Sequence, residues 1–127
     1  MWLFTTKGFI SVVEDYERPD NLLVRGRFKG DIPQIFPGVK ETYTRNRDYR
    51  YRASLPRETV AARFAELITK IDYPNFKDAC PANRHDINAS VWGMMYNAQN
   101  RMDRRKPKSK QYEYYNDFLF PGEDRIS

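Results

Sequence analysis

Every strand-like run in this 127-residue chain lies before residue 55, and every long stretch of helical periodicity lies after it. Strands first and helices afterwards predict an α+β fold: an antiparallel sheet of about five strands in the N-terminal half, covered on one face by two C-terminal helices. WLFT at 2–5 and FISVVED at 9–15 are rich in β-branched and aromatic residues and flank the turn signal Lys7-Gly8, so they read as a hairpin. LLVRGRF at 22–28 follows the breaker ERPDN and reads as a third strand. ETYTR at 41–45 and YRYRAS at 49–54 read as two more around the polar turn 46–48. Between them, Asp31 is expected to cap a short helix through Ile32, Ile35 and Phe36, stopped by Pro37-Gly38.

The clearest helix spans 56–71, where Val60, Phe64, Leu67, Ile68 and Ile71 recur at helical spacing behind Pro56. A second runs from about 86 to 102, with Ile87, Val91, Met94, Met95 and Ala98 on one side. Gly93 weakens it by up to ~1 kcal/mol relative to Ala. Core packing is the expected role of the Met94-Met95 pair and Trp92, with an adaptable partner groove as the alternative.

The length fits one domain, expected over residues 1–100, followed by a basic segment at 101–110 and an aromatic, acidic docking segment at 111–127. Cys80, the one cysteine, cannot close a disulfide within the chain, and a reducing compartment follows as the expectation. The opening residues have no basic start with a long apolar run, and no window of the chain is apolar enough to cross a membrane. A cytoplasmic protein with no membrane partner, no cofactor and no metal site is therefore expected.

Charge is unevenly placed. Residues 101–110 hold six Lys or Arg against Asp103, a net +5 that equals the value for the whole chain. Residues 1–100 carry +3 and residues 111–127 carry −3. Arg101, Arg104, Arg105, Lys106, Lys108 and Lys110 can neutralise phosphates and release counterions, so nucleic acid is one expected partner. A solvated extension and an acidic protein partner are the alternatives. Tyr112, Tyr114, Tyr115, Phe118 and Phe120 are too apolar for a flexible tail, and docking on this chain, a second copy or another protein is their expected role.

Two further constellations stand out. Arg25 and Arg27 alternate along the third strand, Arg50 and Arg52 along the fifth, and pairing of those strands would gather them into a cationic patch. Alternation would send Tyr49 and Tyr51 to the other face, and pairing with Glu14, Asp15 or Glu41 would make the patch an ordinary solvated surface. The stretch IDYPNFKDACPANRHD concentrates Asp72, Tyr73, Asn75, Lys77, Asp78, Cys80, Arg84, His85 and Asp86, but its spacing selects no mechanism. A structured loop is its expected role, and no catalytic residue is assigned.

Met1-Trp2-Leu3, Gly8-Phe9, LLVR at 22–25, Tyr49 to Ala53, IDYPNFK at 71–77 and Val91-Trp92 together resemble a family of small bacterial and phage proteins of unassigned activity, over residues 1–97. The resemblance implies a self-contained fold and carries over no catalytic residue. The charge of the basic segment, together with the sheet arginines, makes a non-enzymatic binding protein of bacterial or phage origin that contacts nucleic acid the leading expectation. The alternative is a protein-interaction or inhibitory module of a phage or mobile element that acts on a host protein.

Overall fold

The computed structural model describes residues 1–105. Two compact units divide the chain, Met1–Ala82 and a second that begins at Asn83. The fold is α+β. The first unit holds strands β1 (Trp2–Thr5), β2 (Gly8–Glu14), β3 (Asn21–Gly26), β4 (Thr42–Tyr43) and β5 (Tyr51–Pro56), with helices α1 (Asp31–Ile35), α2 (Arg57–Thr69) and α3 (Phe76–Ala79). Helix α4 (His85–Arg105) belongs to the second unit.

All strand pairs are antiparallel, in the order β1-β2-β3-β5-β4. Alternation sorts each strand. Leu3, Ile10, Val12, Leu22, Val24, Ala53 and Leu55 face α1 and α2, and with Ile32, Ile35, Phe36 and Val60 they form the core. Ile10, Val24, Ile32 and Ile35 are completely enclosed. Gly30, in the left-handed region at φ 92°, takes the N-cap position of α1 that had been expected for Asp31. Asp31 is instead buried in the first turn, where its carboxylate accepts a hydrogen bond from the Phe9 N–H at 3.0 Å and ties α1 to the hairpin. Arg63 of α2 donates through Nε to the Ile35 carbonyl, satisfying an acceptor that the end of α1 leaves open.

Several expected core positions lie elsewhere. Ile68 and Ile71, at the end of the α2 pattern, are exposed, because Ile68 sits at the edge of the face that Val60, Phe64 and Leu67 turn to the core and Ile71 lies beyond the helix end at Thr69. Met94, Met95 and Trp92 are 72%, 67% and 55% exposed, which overturns core packing for all three. The strand expected at 41–45 contracts to two residues, and the backbone between it and β5 is a turn in which the Thr44 N–H donates to the Arg50 carbonyl.

Candidate nucleic-acid interface

The second sheet face carries no helix of the first unit. Strand registers align Trp2 with Ser11, Ser11 with Arg25, Arg25 with Arg52, and Arg52 with Thr42. One row thus crosses all five strands, with two arginines at its centre and a tryptophan near its edge; neighbouring strands are about 4.8 Å apart, so its span is roughly 19 Å. Trp2 is 68% exposed and meets Phe9 edge-on at 6.3 Å, and Phe9 in turn packs on Phe4 at 4.4 Å. Aromatic and cationic side chains therefore share this face.

Tyr49 holds the arginines in place. The Arg25 and Arg27 guanidinium groups lie 4.4 and 4.1 Å from the centre of its ring, an attraction that offsets part of their mutual repulsion. Arg52 donates through Nε to the Tyr49 carbonyl at 3.1 Å, and Arg27 donates to the Asp48 carbonyl at 3.2 Å. Arg25 donates to Ser11 Oγ at 2.9 Å, while its Nε is buried without an acceptor. Tyr49 precedes β5, so strand alternation does not govern it, and its 3% exposed ring lies under the arginines rather than on the opposite face. Arg50 also precedes β5 and is exposed, and none of these contacts includes it.

Two of the three carboxylates expected to neutralise the patch are engaged elsewhere. Glu41 accepts from the Gly30 N–H at 2.8 Å, and Asp15 accepts from the Ser54 hydroxyl and the Glu17 N–H. Among the described residues, neither Arg25, Arg27 nor Arg52 forms an ion pair with a carboxylate. Burial, followed by the nearby charges of Arg47 and Arg25, lowers the pKa of Arg52 from its ordinary value, with Asp48 opposing them. Asp48 is itself held below the ordinary carboxylate value, first by the Tyr49 N–H and then by Arg25 and Arg27. The cluster is a crowded group of cations with one nearby anion.

Asp15 marks the far end of this face. Its hydrogen bond from Ser54, followed by those from the Glu17 and Arg18 backbone, lowers its pKa below 3.8 against the opposing effect of burial. A carboxylate lowered on folding stabilises the protein above its unfolded value and loses that contribution as pH falls through the lower folded value. Ser54→Ala is expected to reduce the melting temperature at neutral pH, with the gap from the unmutated protein narrowing as pH falls below 3.8. Thermal denaturation across that range checks this, and a gap that stays constant would exclude the linkage.

The residues of the loop cluster are divided between the two units. Asp72 and Tyr73 line a groove of about 560 Å³ between the β1–β2 turn and the end of α2. Of its three cations, Lys7, Arg63 and Lys70, the last two are paired with Glu66, each at 3.1 Å, and the Lys70 bond, then its charge and that of Arg63, lower the Glu66 pKa. Asn75 caps α3 by accepting from the Asp78 N–H at 3.1 Å, and Cys80 is buried. Arg84, His85 and Asp86 belong to the second unit, in which His85 begins α4. Among the described residues, no three His, Cys, Asp or Glu side chains are grouped to hold a metal, and no helix is long and apolar enough to cross a membrane.

Arg101 and Arg104 are exposed on α4, and Arg105 is the last of the described residues. Lys106, Lys108, Lys110 and the aromatic residues Tyr112, Tyr114, Tyr115, Phe118 and Phe120 lie outside the described residues. Sequence reasoning missed Trp2, Ser11, Arg47 and Tyr49 as members of the cationic face. The alternation of Leu3, Ile10 and Val12 against Trp2, Phe9 and Ser11 is the signal that could have revealed the first two. No protein-family model, curated protein or solved structure matches the chain.

Proposed function

We propose that the protein binds single-stranded nucleic acid without catalysis. Arg25, Arg27 and Arg52 contact phosphates, and Trp2 offers a ring on which a base stacks. The observation that carries this reading is the row Trp2–Ser11–Arg25–Arg52, whose central cations form no ion pair with a carboxylate among the described residues, Asp48 being the one anion near them. Single-strand binders combine a cationic track with aromatic platforms, because phosphate attraction and base stacking both tolerate any sequence. The basic run 101–110 supplies further phosphate contacts through Arg101, Arg104, Arg105, Lys106, Lys108 and Lys110.

Fluorescence anisotropy with labelled single-stranded DNA and RNA, and with a duplex of the same sequence, tests the proposal. Binding at 50 mM salt should favour the single strands. Trp2→Ala should weaken it by about 1 to 3 kcal/mol, the usual worth of one base stacked on an aromatic ring. No binding to either single strand at 50 mM salt would overturn the proposal, and equal loss of duplex binding in Trp2→Ala would remove the stacking role.

A further inference from the structure

The arginine cluster is fixed in a way that leaves its terminal nitrogens available. Arg52 uses Nε for the Tyr49 carbonyl, Arg25 uses Nη2 for Ser11, and Arg27 uses Nη1 for the Asp48 carbonyl. Each guanidinium is thus held by one nitrogen and keeps at least one terminal N–H group without an acceptor among the described residues. Arg25 stands beside Arg52 across β3 and β5 and shares the Tyr49 ring with Arg27, so the three form one group. Arg47 adds a fourth charge near Arg52, and Asp48 is the one anion close by. Four cations against one carboxylate leave a net +3 in one corner of the sheet.

Such a density suits an anion of more than one charge. An internal phosphate of a nucleic-acid strand is a singly charged diester, whereas a phosphate at the end of a strand is a monoester with about −1.5 to −2 charges at pH 7 and three strong acceptor oxygens. Arginine meets phosphate oxygens through paired N–H bonds, and arginine clusters are a recurring receptor for phosphomonoesters. Asp48 adds a direction, since it lies next to Arg27, and a strand continuing past it would bring a further phosphate against a carboxylate.

We propose that the group formed by Arg25, Arg27 and Arg52 receives the terminal phosphomonoester of a nucleic-acid strand. This assignment rests on the single-strand reading above and adds which part of the strand meets the arginines. Arg25 and Arg52 hold the end phosphate from adjacent strands, and Arg27 supplies a further N–H. Trp2 stands two strand spacings from Arg25, roughly 10 Å away. At ~3.4 Å per nucleotide along a stacked strand, its ring meets a base about three nucleotides in from the end. A strand without an end phosphate still binds through its diesters, but less tightly.

Fluorescence anisotropy with the full chain and short labelled single strands of one sequence tests this. The probes carry a 5′ phosphate, a 3′ phosphate or neither, and a further unphosphorylated strand is one nucleotide longer, so that it holds as many phosphates as the first two. At 0.1 M salt an end phosphate should tighten binding about 10-fold or more over the longer strand, the worth of one charge-assisted hydrogen bond, and the end that gains gives the polarity. Arg25→Ala with Arg52→Ala should abolish that gain, whereas Trp2→Ala should weaken all the probes alike and keep it. Arg52→Lys carries the test if the double variant fails to fold: the charge remains, the fork is lost, and the gain should fall. Equal binding of the phosphorylated and longer strands would overturn the end-phosphate role while leaving single-strand binding in place. No binding of any strand would instead overturn the reading beneath it. A gain that survives in the double alanine variant would overturn the assignment to these arginines, and displacement of the strand by an equal concentration of phosphopeptide would overturn the assignment to nucleic acid.

Discussion

Arg25→Ala combined with Arg52→Ala is expected to weaken single-strand binding roughly 25-fold at 0.1 M salt relative to the unmutated chain. The figure follows from counterion release: each phosphate contact on a single strand contributes about 0.7 to the slope of log affinity against log salt, and two contacts contribute about 1.4. Position is what makes these two arginines the sensitive pair. They face one another across β3 and β5, with Ser11 and the Tyr49 carbonyl fixing their directions. Lysine at both positions should restore part of the loss, since charge returns without the planar fork that Tyr49 and Ser11 hold. Removing Arg25 frees Ser11 from its bond, so an unchanged melting temperature is the necessary control.

Ile10→Ala is expected to have the largest effect on stability, about 2 to 5 kcal/mol. Ile10 is completely enclosed at the centre of the sheet, where it faces Leu3 on β1 and Gly26 on β3, so collapse around a cavity would have to move three strands. For a unit of this size each kcal/mol corresponds to roughly 4 to 8 °C, giving a fall of about 8 °C or more in the melting temperature. Ile68→Ala, on the exposed end of α2, should stay within about 0.5 kcal/mol of the unmutated protein. Equal effects at the two positions, measured by thermal or urea denaturation, would contradict the core assigned to the first unit.

The sheet was legible because its strands are written in period two. Leu3, Ile10 and Val12 alternate with Trp2, Phe9 and Ser11, Val24 and Ala53 alternate with Arg25 and Arg52, and each falls on the face that alternation assigns. Pairing of β3 with β5 was the expectation that brought Arg25 beside Arg52. Tyr49 and Arg50 were illegible for a related reason: they lie just before β5, where the turn rather than the pleat sets direction. Periodicity also says that a stripe exists without saying what covers it. That is why Val60 is buried in α2 while Ile68 and Ile71 of the same pattern are exposed, and why Met94 and Met95 lie open on α4. The use of Glu41 and Asp15 as partners for Gly30 and Ser54 depended on loop geometry, which charge counting cannot reach. Their engagement there is what leaves the arginines without carboxylate ion pairs among the described residues.

Salt titration of single-strand binding, from about 50 to 200 mM, with the full chain and with the Arg25→Ala, Arg52→Ala variant side by side, measures the phosphate contacts of the sheet face directly. The variant should show a slope shallower by about 1.4, with the remaining slope due to Arg27 and the basic run. Parallel slopes would contradict it, because cations that touch no phosphate release no counterions when they are removed.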